Sequence, residues 1–312
     1  MISTNPIPLV FHNIHEHGVE IIDRWIAEVE KRTKNVVRFT KTTGEDAKLI
    51  AAADVVRDVP AADPRYALLG LVQVPFIFPD AAVGSRVIAQ LYEEFSTLRE
   101  ELNDNKVVGL SIGAPMAIFS TKAWGPIKSI ENLKSARIRS LPVIDGPLRA
   151  LGALPVHVPY LEIRHLLETG KLDATVLGVL PGYMFHLAES AAPYCTVTGG
   201  ASITMHPMRV YMKWECWNRL PVDIQRIIDG LGPSGRDCWF AVQSGLDADM
   251  QLVPALEYVR RYGELITLVP EELERWRSLV KPEIDSMLHN LEARALPAGQ
   301  FYRRMLELTD AF

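Results

Sequence analysis

The sequence predicts an α/β fold in which parallel sheets carry helices on both faces. Three observations lead there. Strand-like and helix-like stretches alternate over the first two thirds of the chain, as they do where parallel strands are joined by crossover helices. The 312 residues are 48% apolar, which suits two domains or one large α/β domain. The 20 Gly and 21 Pro are spread along the length rather than gathered in a low-complexity tract, so the composition is that of a folded protein.

Each element has a local reason. Residues 7–13 form a short apolar strand, and residues 16–32 follow with Val19, Ile22, Ile26 and Val29 at helical spacing. Residues 36–42 alternate like a second strand, Gly44 marks a break, and residues 46–56 return to helix. After an extended, Pro-containing stretch at 68–79, a helix is expected over 83–102, with strands over 107–112 and 116–121. A short helix at 129–134, a strand at 137–141, a helix at 145–151 and a strand at 154–158 continue the alternation. A helix over 160–168 is ended by Gly170, and 173–179 is a buried strand. Beyond Tyr211 helical spacing dominates over 221–258, with a break at 230–235. A strand at 265–269 interrupts it before helix resumes over 271–308.

Charge and apolar patterning exclude whole classes. Lys and Arg number 33 against 38 Asp and Glu, a net charge of −5 with no basic block, so nucleic acid is not an expected partner. The longest apolar stretches, 68–78 and 174–185, are broken by Gln73 and Pro75 or Gly178 and Pro181. They fall short of the roughly 18–20 residues that a membrane span needs. The N-terminal residues lack a charged region followed by an apolar one, so the chain is expected to be cytosolic, or a secreted protein whose signal peptide has been removed. The 3 cysteines, Cys195, Cys216 and Cys238, have no CxxC spacing and indicate neither a zinc site nor a disulfide framework.

Four motifs carry possible chemistry. Gly109, Ser111 and Gly113 match GxSxG after a strand, and Asp173 with His206 or His289 would complete a hydrolytic triad. A nucleophile elbow needs a helix directly after its serine, and here extended chain follows. A close crossing of two chain segments is the alternative to a serine hydrolase using Ser111. Gly230, Gly232 and Gly235 match GxGxxG, but they follow a helix and include Pro233, which has no N–H for a phosphate. His12, His15 and His17, with Glu16 between them, lack the HExxH spacing that aims two imidazoles at one metal ion. His12 and Asn13, at a strand's carboxyl end, are either cleft-lining hydrogen-bond donors or ordinary loop polarity. Arg137 and Arg139 flank Ile138 and share one face of a strand. They read equally as a carboxylate anchor or as a surface ion pair with Glu131 or Glu162.

Longer stretches resemble one family. They are Pro126 to Arg139, Leu151 to Glu162 and Leu166 to Asp173, with Pro75-Phe-Ile-Phe-Pro-Asp80, His206 before an extended segment, and Trp217-Asn-Arg-Leu-Pro221 ahead of a long helix. Their order and spacing, over most of the chain, are similar to the solute-binding proteins of TRAP (tripartite ATP-independent periplasmic) transporters. The resemblance implies a two-domain periplasmic binding protein fold with a central ligand cleft, crossing strands and a long interdomain helix. Domain I would take residues 1–120 plus about 207–248, and domain II about 121–206 plus 249–312. It implies transport rather than catalysis: a periplasmic protein that closes over a small organic acid and delivers it to TRAP membrane permease subunits. No cofactor and no metal-ligating residue is assigned, and whether a cation assists binding is left open.

The same resemblance makes Arg139 the carboxylate-binding arginine and Arg137 its supporting neighbour. Tyr160 becomes the aromatic that packs on the ligand, and Asn13, His12 and His206 join the expected ligand set. Two positions depart from the pattern. Leu177 stands where many members that bind polar acids carry asparagine, and Met116 to Phe119 where many carry a second arginine. Apolar side chains there would leave a second carboxylate or a sugar hydroxyl unpaired, at about 1–3 kcal/mol per group. The expected ligand is therefore a monocarboxylate with an apolar or aromatic body. Tyr160, Phe119, Met116, Tyr183 and Leu177 are its expected walls, with plain core packing the alternative for each.

Overall fold

The computed structural model describes residues 6–14, 19–60, 63, 65–235 and 238–312. The first helix, Val19–Arg32, buries Ile21, Ile22, Trp25, Ile26 and Val29, the stripe its helical period predicts. Trp25 is fully buried among Phe11 and Phe39, with ring centroids 5.9 and 5.6 Å away. This aromatic cluster seats the helix on strands β1 (Ile7–Asn13) and β2 (Val37–Thr43).

Two sheets organise the chain. The first has the order β2-β1-β3-β10-β4, with β3 at Val55–Asp58, β4 at Lys106–Ile112 and β10 at Pro207–Met212. The second has the order β11-β9-β5-β8-β6-β7. Here β5 is Met116–Ser120, β6 Arg137–Arg139, β7 Leu154–Val156, β8 Ala174–Gly178, β9 Tyr194–Val197 and β11 Glu264–Thr267. The class is α/β, but the sheets are mixed rather than wholly parallel. β10 runs antiparallel to β3 and β4, and β5 runs antiparallel to β8 and β9.

Chain crossings explain the exception. β4 leaves the first sheet and becomes β5 of the second, while β9 leaves the second and becomes β10 of the first. The two crossings are bonded to each other, Gly113 N–H donating to His206 O at 2.8 Å and Met116 N–H to Thr204 O at 3.1 Å. A 24-residue helix, Trp239–Tyr262, forms a third link, packing on β4 and the Ala81–Glu94 helix at one end and on β11 and the Val179–Met184 helix at the other. It approaches the Ala81–Glu94 helix so closely that a Cβ on Gly245 would lie 2.6 Å from Ala81 O. The other long helices, Pro270–Glu292 and Ala298–Ala311, bring Trp276, Phe301 and Met305 into a core shared by both sheets.

Several local expectations are corrected. The helix expected over 46–56 stops at Ala52. Asp54 is then stitched to Val10, its N–H donating to Val10 O at 3.0 Å and its Oδ2 accepting from Val10 N at 2.8 Å, which draws Val55–Asp58 into the sheet. Residues 68–79 are not simply extended, since Ala67–Gly70 is helical and Leu71–Gln73 a 3₁₀ turn. The helix expected over 83–102 is two helices, Ala81–Glu94 and Ser96–Glu101. Strand β9 carried no sequence signal strong enough to assign it. The Gly230–Gly235 motif lies between the Val222–Asp229 and Trp239–Tyr262 helices, as a helix break should.

Candidate functional site

A cavity of about 310 Å³ opens where the two sheets face each other. The second sheet and its loops supply Met116, Arg139, Leu141, Tyr160, Leu177, Leu180 and Pro181; the first side supplies Ile21, Arg57, Val59 and Met208; the crossings add Gly113, Ala114 and His206. The Trp239–Tyr262 helix contributes Ser244, Asp247, Ala248 and Gln251. Most of this wall is apolar, with polar groups at a few points, the usual make-up of a small-molecule site.

Arg139 ends β6, paired with Val156 on one side and Thr175 on the other, so the sheet fixes its backbone. Its Nη1 donates to Val176 O at 3.2 Å, while its Nε is buried without a hydrogen-bond partner among the described residues. Burial lowers the Arg139 pKa, and neighbouring Tyr160 acts the other way. Tyr160 is itself pushed up to about 12 by burial, against the pull of Arg139, so at neutral pH it is an uncharged phenol. Its ring packs on Phe185 at 4.9 Å.

Arg57 is a second guanidinium on the same cavity, and the sequence reading missed it because the expected helix took in Val55 and Val56, the first half of β3, and left Arg57 unassigned. It is 6% exposed, and burial lowers its pKa to about 10 against the charges of Asp58 and Glu20. An arginine in that range stays protonated at neutral pH. A buried and a half-buried cation thus line one cavity, one from each sheet. Asp247, also missed, is 3% exposed. Its Oδ1 is ion-paired with Arg24, and its Oδ2 is buried with no hydrogen-bond partner among the described residues. No sequence signal sets it apart, since Gln243, Ser244, Asp249 and Gln251 surround it on the same helix.

Of the expected ligand residues, Arg139, Tyr160, Met116, Leu177 and His206 lie together on the cavity. His206 Nδ1 donates to Gln73 Oε1 at 3.1 Å. The other five lie elsewhere. His12 is fully buried, its Nε2 donating to Gly44 O and its Nδ1 bonded to Thr42 Oγ1, both at 2.8 Å, so it ties β1 to the end of β2. Asn13 stands behind the wall, its Oδ1 accepting from Arg57 Nη1 at 3.2 Å. Phe119 is fully buried beneath Gly182, where an added Cβ would come within 2.4 Å of its ring.

Tyr183 belongs to a different surface hollow and packs edge-on against Tyr258 at 5.0 Å. Arg137 takes the ion-pair alternative, though with Asp173 at 2.6 Å rather than Glu131 or Glu162. Ser111 does not sit on an elbow, because β4 leads through three residues into β5. Its Oγ is fully buried and bonded to Ser244 Oγ at 2.9 Å. The small residues around it serve the close crossing instead, since a Cβ on Gly109 would come within 2.9 Å of the Phe240 ring. His15, Glu16 and His17 lie outside the described residues.

Residues 56–290 match the family model DctP, described as bacterial extracellular solute-binding protein, family 7. Solved structures share the fold along the whole chain. A marine metagenome TRAP solute-binding protein specific for aromatic acid ligands, in complex with 3-hydroxybenzoate, superposes with a TM-score of 0.88 at 20% identity, covering 99% of both chains. A Bordetella bronchiseptica TRAP periplasmic solute-binding protein with bound (R)- and (S)-mandelate has a TM-score of 0.85 at 21% identity, over 98% of this chain and 99% of that one. One from Rhodoferax ferrireducens T118, in complex with copurified benzoate, has a TM-score of 0.83 at 18% identity over 98% of each chain.

Proposed function

Because the chain belongs to the bacterial extracellular solute-binding proteins of family 7, we propose that it captures a small organic monocarboxylate in the periplasm and hands it to a TRAP membrane permease. The ligand's body is apolar or aromatic. Arg139 carries this reading: a guanidinium half-buried on an apolar wall, with one N–H still lacking an acceptor. A carboxylate accepts from two guanidinium N–H groups at once and restores the charge balance that burial disturbs.

The rest of the wall sets the class. A cavity of about 310 Å³ lies at the small end of ligand sites, which run from about 300 to 1,000 Å³, and suits a single ring or a short branched chain. Tyr160, Met116, Leu177 and Pro181 offer that body apolar contact. The three related proteins described above were solved with benzoate, 3-hydroxybenzoate and mandelate, all aromatic monocarboxylates. Since the two sheets contribute opposite walls, a ligand bridging them favours the closed arrangement by the contacts made only there.

A thermal-shift screen of wild type and Arg139→Ala against aryl and branched monocarboxylates, dicarboxylates and sugar acids tests this. A ligand at 1,000 times its Kd adds about 4 kcal/mol to wild-type stability, and the shift is expected to vanish in Arg139→Ala. Dicarboxylates or sugar acids outranking aryl monocarboxylates would sink the ligand class. An undiminished shift in the variant would sink the anchor.

A further inference from the structure

We propose that Asp247 makes this site selective for acids that carry a hydroxyl group besides the carboxylate, the hydroxyl donating to Asp247 Oδ2 while Arg139 holds the carboxylate. The inference rests on the reading of the cavity as an organic-acid site and goes beyond it, because an apolar body alone gives Asp247 nothing to bind.

The geometry defines what is missing. Asp247 is 3% exposed and lines the cavity. One carboxylate oxygen is taken by Arg24 and the other has no donor among the described residues. Its polar neighbours on the helix are engaged elsewhere. Ser244 Oγ is bonded to Ser111 Oγ at 2.9 Å, and Gln251 Nε2 donates to Glu20 Oε2 at 2.9 Å. A buried carboxylate oxygen left without a donor is costly, and a ligand that brings one removes that cost.

Charge decides between the possible donors. An ammonium would enter a cavity that already holds Arg57 and Arg139, beside an Asp247 whose charge Arg24 offsets. A second carboxylate would confront Oδ2 with like charge and still leave it without a proton donor. A hydroxyl donates without bringing charge, and its own oxygen can accept from a guanidinium. Asp247 sits on the side of the cavity built by the first sheet, since Arg24 of the first helix pairs with it and Asp249, two residues on, accepts from Ala81 N–H. Arg139 comes from the second sheet, so a hydroxy acid engages both sides with polar contacts. A site built around a substrate hydroxyl discriminates strongly against the analogue lacking it.

Calorimetric titration of the full chain with phenylacetate, mandelate, 3-hydroxyphenylacetate and phenylglycine tests the inference. In wild type at least one hydroxylated acid should bind about tenfold or more tightly than phenylacetate, the worth of a hydrogen bond to a charged group. In Asp247→Asn, Arg24 draws the amide oxygen and the NH₂ turns to the cavity. The gap should then close to about twofold, whatever happens to phenylacetate affinity itself, and Asp247→Ala should do the same. A gap that survives both substitutions overturns the inference, as does wild type binding phenylacetate as tightly as both hydroxylated acids, or phenylglycine more tightly than either. The wild-type comparison needs no folded variant. Failure of all four compounds to bind wild type would instead bring down the organic-acid reading, and this inference with it.

Discussion

The Asp249 carboxylate accepts the backbone N–H groups of Ala81 and Ala82, one on each oxygen and each at 2.9 Å. Asp80 takes the next one, Val83 N–H, at 2.7 Å, so the first turn of the Ala81–Glu94 helix is capped largely from a helix 168 residues away. The link fixes the Trp239–Tyr262 helix two residues from Asp247. Asp249→Ala would leave two amides without acceptors, and urea unfolding should register a loss of about 1–3 kcal/mol. A loss under about 0.5 kcal/mol would mean that water replaces the carboxylate without penalty.

Phe119 tests the boundary between core and cavity. It was expected on the ligand, yet its ring lies against Gly182 with no room for a Cβ. Gly182→Ala should therefore destabilise by about 1–3 kcal/mol through overpacking. Phe119→Leu in the same chain should return part of that loss, a coupling that a double-mutant cycle reads directly. Phe119→Leu alone should leave ligand affinity unchanged; a large loss of affinity would put the ring back in the site.

Some of this was legible from residues alone, and the remainder has identifiable physical reasons. The periodicity of Val19, Ile22, Ile26 and Val29 was enough to find the first helix, because one buried stripe dictates those positions. Arg139 was visible as a strand arginine, but periodicity could not separate it from Arg137, whose partner Asp173 lies 36 residues away. Arg57 was hidden because Ala51, Ala52 and Ala53 favour helix, while the bond between Asp54 and Val10 that ends it is tertiary. His12 read as either a cleft donor or a loop histidine until Thr42 and Gly44, at the end of β2, supplied hydrogen-bond partners for its two ring nitrogens. Asp247 resembles any solvated helix residue, and only the packing around it reveals that it is buried.

Arg137 and Asp173 predict a pH dependence. Burial acts to raise the Asp173 carboxyl, but hydrogen bonds from the Arg137 side chain and backbone outweigh it and hold the pKa below its ordinary 3.8. A carboxyl lowered on folding contributes stability that is present above the unfolded value and is lost as pH falls through the folded one. Arg137→Ala should thus lower the Tm at pH 7, and the gap from wild type should narrow below about pH 3.8. Ligand affinity at pH 7 should not change. A gap independent of pH would show that Arg137 acts through packing rather than charge.

Closure is the motion expected from how the two sheets are joined. The crossings Gly113–Met116 and Thr204–His206 are bonded to each other and both border the cavity, so rotation of one sheet and its helices against the other concentrates its φ/ψ change there. Arg139 lies on one side of these crossings and Arg57 on the other, so an acid that bridges them gains contacts made only when the two sides approach. Saturating ligand should reduce the radius of gyration measured by small-angle scattering. Arg139→Ala at the same ligand concentration should give the ligand-free value, because too little acid is then bound to bridge the two sides. Arg57→Met should weaken binding by about tenfold or more if Arg57 contacts the closed-state ligand. Scattering unchanged by ligand would place the apolar walls in contact before the acid arrives, and binding would then proceed by entry into a preformed cavity.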